Sequence, residues 1–318
     1  MKSSNQADSQ LADISISVIV PTFKSRRTIG RCILSILRQT FRPTEIIVVD
    51  SGSDDGTKGI VEHLSRESDL IHYIDLGFEQ RGISHARNSG AKQARGKYLL
   101  FVDSDWYLDP DALERVARLA SQGKSCLVVW AGRKRLDSEV SYIARSRQIL
   151  WEFSEAQSYL NYVPCGPGTP RGTPYFMKHE DFSRIGGFDC SLPVLEDADL
   201  HVRCTLHGIA PSANVDVGIH DQIITLRTTV VRRIRSARGT ALFEMKWQSQ
   251  RWVNHAQRAI GMSGTVKRLL GGLRGVVCRR PLLFPGAVLV GLTDGFTAAI
   301  SRLFLIPRQK ASRDRGQS

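Results

Sequence analysis

The chain has 318 residues, of which 42% are hydrophobic, enough to build a buried core and too many for a disordered protein. Its formal net charge is +13, and its six cysteines are spaced too widely for a zinc knuckle or a redox motif. This cysteine usage predicts reduced, mostly buried thiols in a cytosolic compartment.

Two β-branched runs near the N-terminus predict buried strands. Residues 16–20 lead directly to Pro21, and residues 45–50 lead to a Ser-Gly-Ser turn. Between them, apolar residues recur at helical spacing over 28–38, which predicts an amphipathic helix. The three segments together predict one βαβ unit.

The same alternation continues along the chain. It predicts helices at 57–65 and 84–94 and strands at 71–74, 98–102 and 126–130. Asp109 and Pro110 suit the N-cap and first residue of one more helix. The alternation predicts an α/β fold with an open, mostly parallel sheet flanked by helices, and ligands bind such sheets at the carboxyl ends of the strands.

Two carboxylates follow the predicted strand 98–102. Asp103 and Asp105 are spaced i, i+2, and alternation along a strand would place both on one side. Mg²⁺ and Mn²⁺ take oxygen ligands and commonly bridge a few carboxylates to substrate phosphates. Most isolated Asp-x-Asp pairs are solvated loop residues, but a position at the end of a buried strand favours a metal site.

Small and acidic residues also follow the strand 45–50. Asp50 ends that strand and is the better ligand candidate, and the glycines beyond it let a ligand approach the backbone. Asp54 and Asp55 are better explained as caps of the next helix.

Two further segments place charged residues at predicted helix starts. The sequence RGISHARNSG puts Arg87 beside a helix N-terminus, which suits a phosphate, although a lone arginine is by default a surface residue. The sequence LEDADL holds Glu196, Asp197 and Asp199, which could equally be helix caps and dipole partners.

Together these segments resemble glycosyltransferase family 2, the inverting enzymes of the GT-A fold. The resemblance covers about residues 16–208 and rests on the number and order of its pieces. These pieces are SVIVPTF at 17–23, VDSGSDDGT at 49–57, ARN at 86–88, DSD at 103–105, GGFD at 186–189 and ED at 196–197.

The resemblance implies a donor site and a metal site. The donor-binding residues that it implies are Pro21, Thr22, Asp50, Arg87, Asp103 and Ser104. Thr22 and Asp50 would lie near the base, and Arg87 near the diphosphate or the base. Mn²⁺ or Mg²⁺ would be held by Asp103, Asp105 and His220. Some GT-A enzymes place a histidine on the metal, although a lone histidine is more often structural.

On the acceptor side the resemblance implies contacts with Glu196 and Gly187, and it makes Asp197 the catalytic base. A single displacement needs a base that deprotonates the acceptor hydroxyl as it attacks the anomeric carbon from the face opposite the leaving diphosphate. The metal offsets the charge that develops on that leaving group.

The positive charge belongs to the C-terminal part alone. Residues 227–318 contain 18 Lys and Arg against 3 Asp and Glu, which leaves a net charge of −2 for the preceding residues. This division predicts a polar tail at 1–13, a GT-A glycosyltransferase domain at 14–226 and a basic, partly apolar helical region at 227–318. Basic and aromatic residues in the last region suit an anionic membrane surface.

The expected partners are a nucleotide-sugar donor, a glycan or lipid-linked acceptor and an anionic membrane, with no nucleic acid. Residues 1–13 lack the apolar core of a secretory signal, so the expected location is the cytoplasmic face of the cell membrane. The stretch 282–300 has nearly the length of a membrane span, but it contains Pro285 and Asp294. A peripheral attachment and an anchor through this stretch both remain open.

Two other functions compete with sugar transfer. A nucleotidyltransferase that makes activated sugars would have a glycine-rich, lysine-containing phosphate loop after its first strand, whereas PTFKS at 21–25 has no glycine. A noncatalytic membrane adaptor with a retained nucleotide pocket would not need Asp103, Asp105 and Asp197 together. Sugar transfer is therefore preferred.

Overall fold

A computed structural model describes the larger part of the first 221 residues. The described residues are 11, 13–79, 82–130, 133–134, 175–209, 211–221, 239, 242–243 and 245–247. The Pro- and Gly-rich segment 161–173, which the sequence predicts to be a loop over the ligand site, lies outside them. So do the stretch 282–300 and most of the predicted tails.

The described residues form ten strands in two sheets. The strands are β1 (Ile16–Thr22), β2 (Glu45–Asp50), β3 (Ile71–Asp75), β4 (Tyr98–Phe101), β5 (Trp106–Leu108), β6 (Cys126–Trp130), β7 (Arg133–Lys134), β8 (Phe176–Lys178), β9 (Asn214–Asp216) and β10 (Gly218–His220). The main sheet has the order β3-β2-β1-β4-β8-β6-β9, and the small sheet has the order β5-β10-β7. In the main sheet only β8 runs antiparallel to its neighbours β4 and β6.

Six helices are described with these strands. They are α1 (Ile29–Leu37), α2 (Thr57–Glu67), α3 (Ile83–Gln93), α4 (Ala112–Ser121), α5 (His179–Arg184) and α6 (Glu196–Leu206). The predicted open, mostly parallel sheet flanked by helices is confirmed, and the predicted elements of the first 130 residues agree with the observed ones to within two residues at each end.

Two kinds of local prediction differ from the structure. Helix α4 begins at Ala112 with Asp111 as its N-cap, not at Pro110, because the Asp109 carbonyl accepts the Ala112 N–H (3.1 Å) in a turn before the helix. The sequence does not predict β5, β7 or β8, and it predicts one strand before His220 where the structure has both β9 and β10. Each has only two or three residues, too few to show a period of two in the sequence.

The centre of the main sheet is buried on both faces, as its continuous apolar runs predict. Every residue of β1, β2 and β4 is buried. Among the described cysteines, Cys32, Cys126 and Cys204 are buried free thiols and Cys190 is exposed. The prediction of reduced, mostly buried thiols therefore holds for three of the four described cysteines.

Two helical glycines provide a matched test of how closely the helices pack. A Cβ at Gly90 in α3 would lie 2.6 Å from Ile19 Cγ2 and 3.1 Å from Val49 Cγ2, whereas a Cβ at Gly59 in α2 would meet nothing within 4 Å. We expect Gly90→Ala to destabilise the protein by about 1–3 kcal/mol through overpacking. Gly59→Ala should instead stabilise it by up to about 1 kcal/mol. Urea unfolding measures both, and equal effects would contradict the close approach of α3 to the sheet.

The chain divides into two compact units. The first comprises Met1–Arg135, Cys165–Ser191 and Glu196–Gln222, and the second comprises Leu136–Pro164, Leu192–Leu195 and Ile223–Ser318. All the strands and helices named above belong to the first unit. In the second, Phe243 is fully buried, and Lys246 Nζ lies 5.5 Å from the ring centroid of Trp247. The described part of the chain holds no helix with the length and hydrophobicity that a membrane span requires.

Candidate active site

The Asp-Ser-Asp segment forms a turn between β4 and β5 at the carboxyl edge of the main sheet. The Trp106 N–H closes the turn by donating to the Asp103 carbonyl (2.9 Å). The prediction that strand alternation places both carboxylates on one side is therefore wrong, because β4 ends before the first of them. Asp103 instead pairs with Arg87, and Asp105 pairs with His220.

The turn is supported by the segment after β1 and by α1. Ser104 Oγ lies 2.8 Å from Ser25 Oγ, and Cys32 Sγ lies 3.7 Å from the Asp103 carbonyl oxygen. Burial, together with the charges of Asp105 and Asp103, raises the pKa of the Cys32 thiol, so this group stays protonated beneath the turn.

His220 reaches the turn through the small sheet. Its Nε2 lies 3.0 Å from Asp105 Oδ2, although the two residues are 115 positions apart in the chain. The next residue, Asp221, donates its N–H to the Asp105 carbonyl (2.8 Å) and accepts hydrogen bonds from Arg27 (3.2 Å) and the Tyr107 hydroxyl (2.8 Å). Burial and the bond to Asp221 raise the pKa of Tyr107 to about 12, so the phenol remains a donor at neutral pH.

Asp50 and Thr22 are neighbours in the parallel register of β2 and β1, and Pro21 precedes Thr22. The Asp50 side chain is fully buried and accepts bonds from the Ser53 N–H (3.1 Å), the Ser53 hydroxyl (2.6 Å) and the Tyr73 hydroxyl (3.0 Å). The Thr22 hydroxyl is buried and has no hydrogen-bond partner among the described residues. These predicted nucleotide contacts thus lie together at the carboxyl edge.

The two acids predicted as helix caps differ in the structure. Asp55 accepts bonds from the Thr57 N–H (3.1 Å) and hydroxyl (2.6 Å) just before α2, although the N-cap residue itself is Gly56. Asp54 instead forms an exposed ion pair with Lys24 (2.8 Å).

Arg87 is buried beside the turn, with 1% of its side chain accessible. Its Nη1 donates to Glu196 (3.0 Å), and its Nη2 donates to Asp103 (2.8 Å) and the Tyr175 hydroxyl (3.1 Å). Its Cζ lies 4.8 Å from the ring centroid of Tyr175 and 5.0 Å from that of Phe188. One guanidinium group therefore connects α3, the turn after β4, the residue before β8 and α6.

Asn88 fixes the backbone around Gly187. Its side-chain amide donates to the Phe188 carbonyl (2.8 Å), and its side-chain carbonyl accepts the Phe188 N–H (2.9 Å). Gly187 has φ +66°, and a Cβ there would lie 2.7 Å from Asn88 Oδ1. Only glycine fits this close approach, and the predicted acceptor contact of Gly187 stays a prediction.

The three acids that begin α6 have different surroundings. Glu196 and Asp199 are buried, whereas Asp197 is partly exposed. Asp199 forms an ion pair with Arg203 one turn along the helix (2.8 Å), which agrees with a structural role. Asp197 Oδ1 accepts the N–H of Ala198 (2.7 Å), and its role as the base stays a prediction.

Glu196 should make the stability of the protein depend on pH. Burial and the neighbouring Asp197 raise its pKa from 4.5 to about 7, while Arg87 opposes the shift. The native state therefore holds this proton more tightly than the unfolded state, and stability is lost as the pH rises through about 7. Relative to Glu196→Gln, we expect the unfolding free energy of the wild type to fall by on the order of 2–3 kcal/mol from about pH 5 to about pH 8. Metal-free urea titrations measure this, and a rise would contradict it.

A divalent cation would find two protein ligands side by side in Asp105 and His220. Asp103 is already paired with Arg87, and no group of three or more His, Cys, Asp or Glu side chains suited to a metal occurs among the described residues. One carboxylate and one imidazole fit a cation that takes its other ligands from substrate phosphates and water, as Mg²⁺ commonly does. Two of the three predicted ligands, Asp105 and His220, therefore fit such a cation, and the metal stays a prediction.

Sequence reasoning missed the residues that surround the predicted ones. Tyr73, Tyr107 and Tyr175 bond to site carboxylates or to Arg87, and no motif marks them in the sequence. Asp221 directly follows His220, but its carboxylate bonds to Arg27 and Tyr107, which no pattern in the sequence indicates.

The open, mostly parallel sheet, with acidic residues after its central strands at the carboxyl edge, agrees with the GT-A fold that the sequence predicts. A sequence model described as "Glycosyl transferase family 2" matches residues 17–177, just over half of the chain. The chain belongs to glycosyl transferase family 2.

Curated relatives with similar sequences are named as glycosyltransferases. The chain is 37% identical over 108 residues to the GalNAc(5)-diNAcBac-PP-undecaprenol beta-1,3-glucosyltransferase of Campylobacter jejuni, which covers 34% of this chain and 35% of that protein. It is 29% identical over 219 residues to chondroitin synthase of Escherichia coli, and this match covers 69% of this chain and 30% of that protein. The matches thus span about a third of the length of these relatives.

Solved structures share the fold. The mannosyltransferase PcManGT from Pyrobaculum calidifontis, in complex with GDP-Man and Mn²⁺, superposes with a TM-score of 0.57 at 20% identity over 94% of this chain and 93% of that one. The glucosyl-3-phosphoglycerate synthase of Mycobacterium tuberculosis, in complex with Mn²⁺, UDP and phosphoglyceric acid, gives a TM-score of 0.51 at 16% identity over 76% and 81%. These likenesses agree with the GT-A fold predicted for the chain.

Proposed function

We propose that this chain transfers a sugar from a nucleoside diphosphate donor to an acceptor hydroxyl, with inversion at the anomeric carbon and with Mn²⁺ or Mg²⁺ as cofactor. The observation that carries the proposal is the network at the carboxyl edge, where Arg87 bonds at once to Asp103 and Glu196. It brings the predicted donor residue Asp103 together with the helix that begins with the Glu-Asp pair. The family of the chain supports sugar transfer as the reaction.

The donor is assigned to the edge formed by β1, β2 and the turn after β4. The Thr22 hydroxyl is buried and has no hydrogen-bond partner among the described residues. Asp50 lies beside Thr22 in the sheet. The nucleotides bound to the two structural neighbours, GDP-Man and UDP, support a nucleoside diphosphate sugar as the class of donor. Asp105 and His220 would hold the cation, which would neutralise charge on the leaving diphosphate.

Asp197 is assigned as the base. As the acceptor oxygen forms its bond to the anomeric carbon, the bond from that carbon to the diphosphate oxygen breaks and the diphosphate leaves with the electron pair. The acceptor proton passes to the Asp197 carboxylate. The partial exposure of Asp197 leaves it accessible to an acceptor, unlike the buried Asp199 two residues on.

A screen of nucleotide sugars tests the function. The purified full-length chain with Mn²⁺ should release a nucleoside diphosphate from one UDP- or GDP-sugar, and NMR of the transferred product should show inverted anomeric configuration. Formation of pyrophosphate from a nucleoside triphosphate and a sugar phosphate would instead support the nucleotidyltransferase alternative. Nucleotide binding without turnover of any sugar would support the adaptor.

The acceptor is assigned to the glycan or lipid-linked class, at the cytoplasmic face of the cell membrane. One curated relative is named for an undecaprenol-linked substrate and another for chondroitin synthesis. The excess of basic residues after residue 226 supports attraction to an anionic membrane surface.

Vesicle flotation of the full-length chain tests this membrane attachment. Because each basic residue near an anionic surface contributes about 1 kcal/mol, replacing Arg232 and Arg233 by Glu should strongly reduce flotation with anionic vesicles. The matched control replaces Lys58 and Lys92, two exposed residues of the first unit, by Glu and should leave flotation unchanged. Equal losses in both variants would contradict an attachment through the basic region.

A further inference from the structure

The guanidinium group of Arg87 is enclosed by protein. Its Nη1 and Nη2 are engaged by two carboxylates and a phenol, and two aromatic rings lie close to its Cζ. The remaining donor, Nε, is buried and has no hydrogen-bond partner among the described residues. An arginine that grips a phosphate offers it two parallel N–H groups. With 1% of its side chain accessible, Arg87 has no such pair at the surface.

The partners of Arg87 come from both halves of the proposed site. Asp103 belongs to the turn on the donor side, and Glu196 begins α6 immediately before Asp197. Asn88, the next residue of α3, bonds to the backbone of the Gly-Gly-Phe-Asp segment. One turn of α3 therefore holds the donor-side turn, the start of α6 and the segment predicted to face the acceptor.

We infer that Arg87 is a positioning residue, which holds the start of α6, and with it Asp197, in place against the Asp103 turn, and that it does not bind the donor diphosphate. This inference rests on the proposed function, and it replaces the contact with the diphosphate or the base that the family resemblance implies for Arg87. A planar guanidinium can bond to two carboxylates along different edges, which a lysine ammonium cannot do with the same geometry.

Removal of the guanidinium would leave a cluster of acids without their cation. Glu196 interacts electrostatically with Asp197 and Asp103, and Arg87 is the cation that opposes their repulsion. Without it, the hydrogen bonds that join Glu196 and Asp103 through one guanidinium group are lost, and the start of α6 is no longer held against the turn. This displaces Asp197 from the acceptor while Asp50 and Thr22, on other strands, stay in place, so turnover falls more than donor affinity.

The test compares Arg87→Gln and Arg87→Lys with Arg203→Gln and Arg203→Lys in the full-length chain. Arg203 is a matched control because it lies on α6, is 15% exposed and bonds to the Asp199 carboxylate (2.8 Å) and the Ile185 carbonyl (2.7 Å). The measurements are the Kd for UDP or GDP with Mn²⁺, kcat at saturating donor and acceptor, acceptor KM, and the melting temperature.

The expected results separate positioning from binding. Arg87→Gln keeps the nucleotide Kd within about threefold of the wild type, while kcat falls at least about tenfold. Arg87→Lys has a higher kcat than Arg87→Gln but a lower one than the wild type. The lysine keeps the positive charge, but its ammonium group cannot bond to both carboxylates with the geometry of the guanidinium. Both Arg203 variants lower the melting temperature but keep kcat and KM per folded molecule.

Two results would overturn the inference. One is a nucleotide Kd weakened more than about tenfold in Arg87→Lys with kcat intact, which would make Arg87 a diphosphate ligand. The other is an unchanged kcat in both Arg87 variants beside a lowered melting temperature. If Arg87→Gln does not fold, the double variant Arg87→Gln/Glu196→Gln, which removes the buried charge pair, is used in its place for the same measurements. A wild type that transfers no sugar would contradict the proposed function, and the nucleotide Kd would still decide whether Arg87 binds the diphosphate.

Discussion

Replacement of Asp197 by Asn is expected to lower turnover by about 10²- to 10⁴-fold, the usual cost of losing a general base, while donor affinity stays close to that of the wild type. Asn keeps the size of the side chain, and its carbonyl oxygen can still accept the Ala198 N–H that Asp197 accepts. It cannot take the proton of the acceptor hydroxyl. The measurement is the transfer rate at saturating donor and acceptor, with a nucleotide titration and a thermal melt of the same sample.

Asp199→Asn is the matched control, because it changes an acid two residues away on the same helix. Asp199 is fully buried and bonds to Arg203 (2.8 Å), so its loss should lower the melting temperature and leave turnover per folded molecule unchanged. If Asp197→Asn behaves like this control, the carboxylate of Asp197 stabilises the helix start and a different residue is the base.

Asp105→Ala is expected to abolish metal-dependent donor binding, a loss of at least about a hundredfold in affinity, since even residues that merely support metal ligands cost about 10- to 100-fold when mutated. The diphosphate and the strand-end carboxylates repel each other unless a cation lies between them. Calorimetry of UDP or GDP with Mn²⁺, and again with EDTA, measures this. In the wild type EDTA should remove binding, and in Asp105→Ala it should change nothing.

Asp109→Asn provides the control for this experiment. Asp105 and Asp109 lie on either side of β5, but Asp109 pairs with Arg115 (3.1 Å) and has no contact with His220 among the bonds described. Its replacement should leave the metal-dependent affinity unchanged. Equal nucleotide affinity with Mn²⁺ and with EDTA in the wild type would contradict the proposed role of the cation.

The sequence determined the framework because the signals for it are local. The strands β1 and β2 are continuous apolar runs, α1 repeats its apolar residues at helical spacing, and the ends of these strands are marked by acidic and small residues. Parallel strands must present their carboxyl ends at one edge, so the placement of Thr22 and Asp50 follows from strand order alone. The order of the motifs was also enough to assign the family, which the family match confirms.

Only the tertiary structure decided which side chains meet. The sequence places Arg87 near a helix start, where a phosphate contact is a reasonable expectation. In the structure it lies one turn into α3, and it is buried against Tyr175 and Glu196, which lie 88 and 109 positions away. The pairing of Asp105 with His220 depends on two strands of three residues each, and such short strands gain their hydrogen bonds from each other rather than from a pattern in the sequence. Periodicity reports which face of an element is apolar, whereas the partner of a buried charge is set by the packing of distant segments, and for this chain that packing decides the role of Arg87.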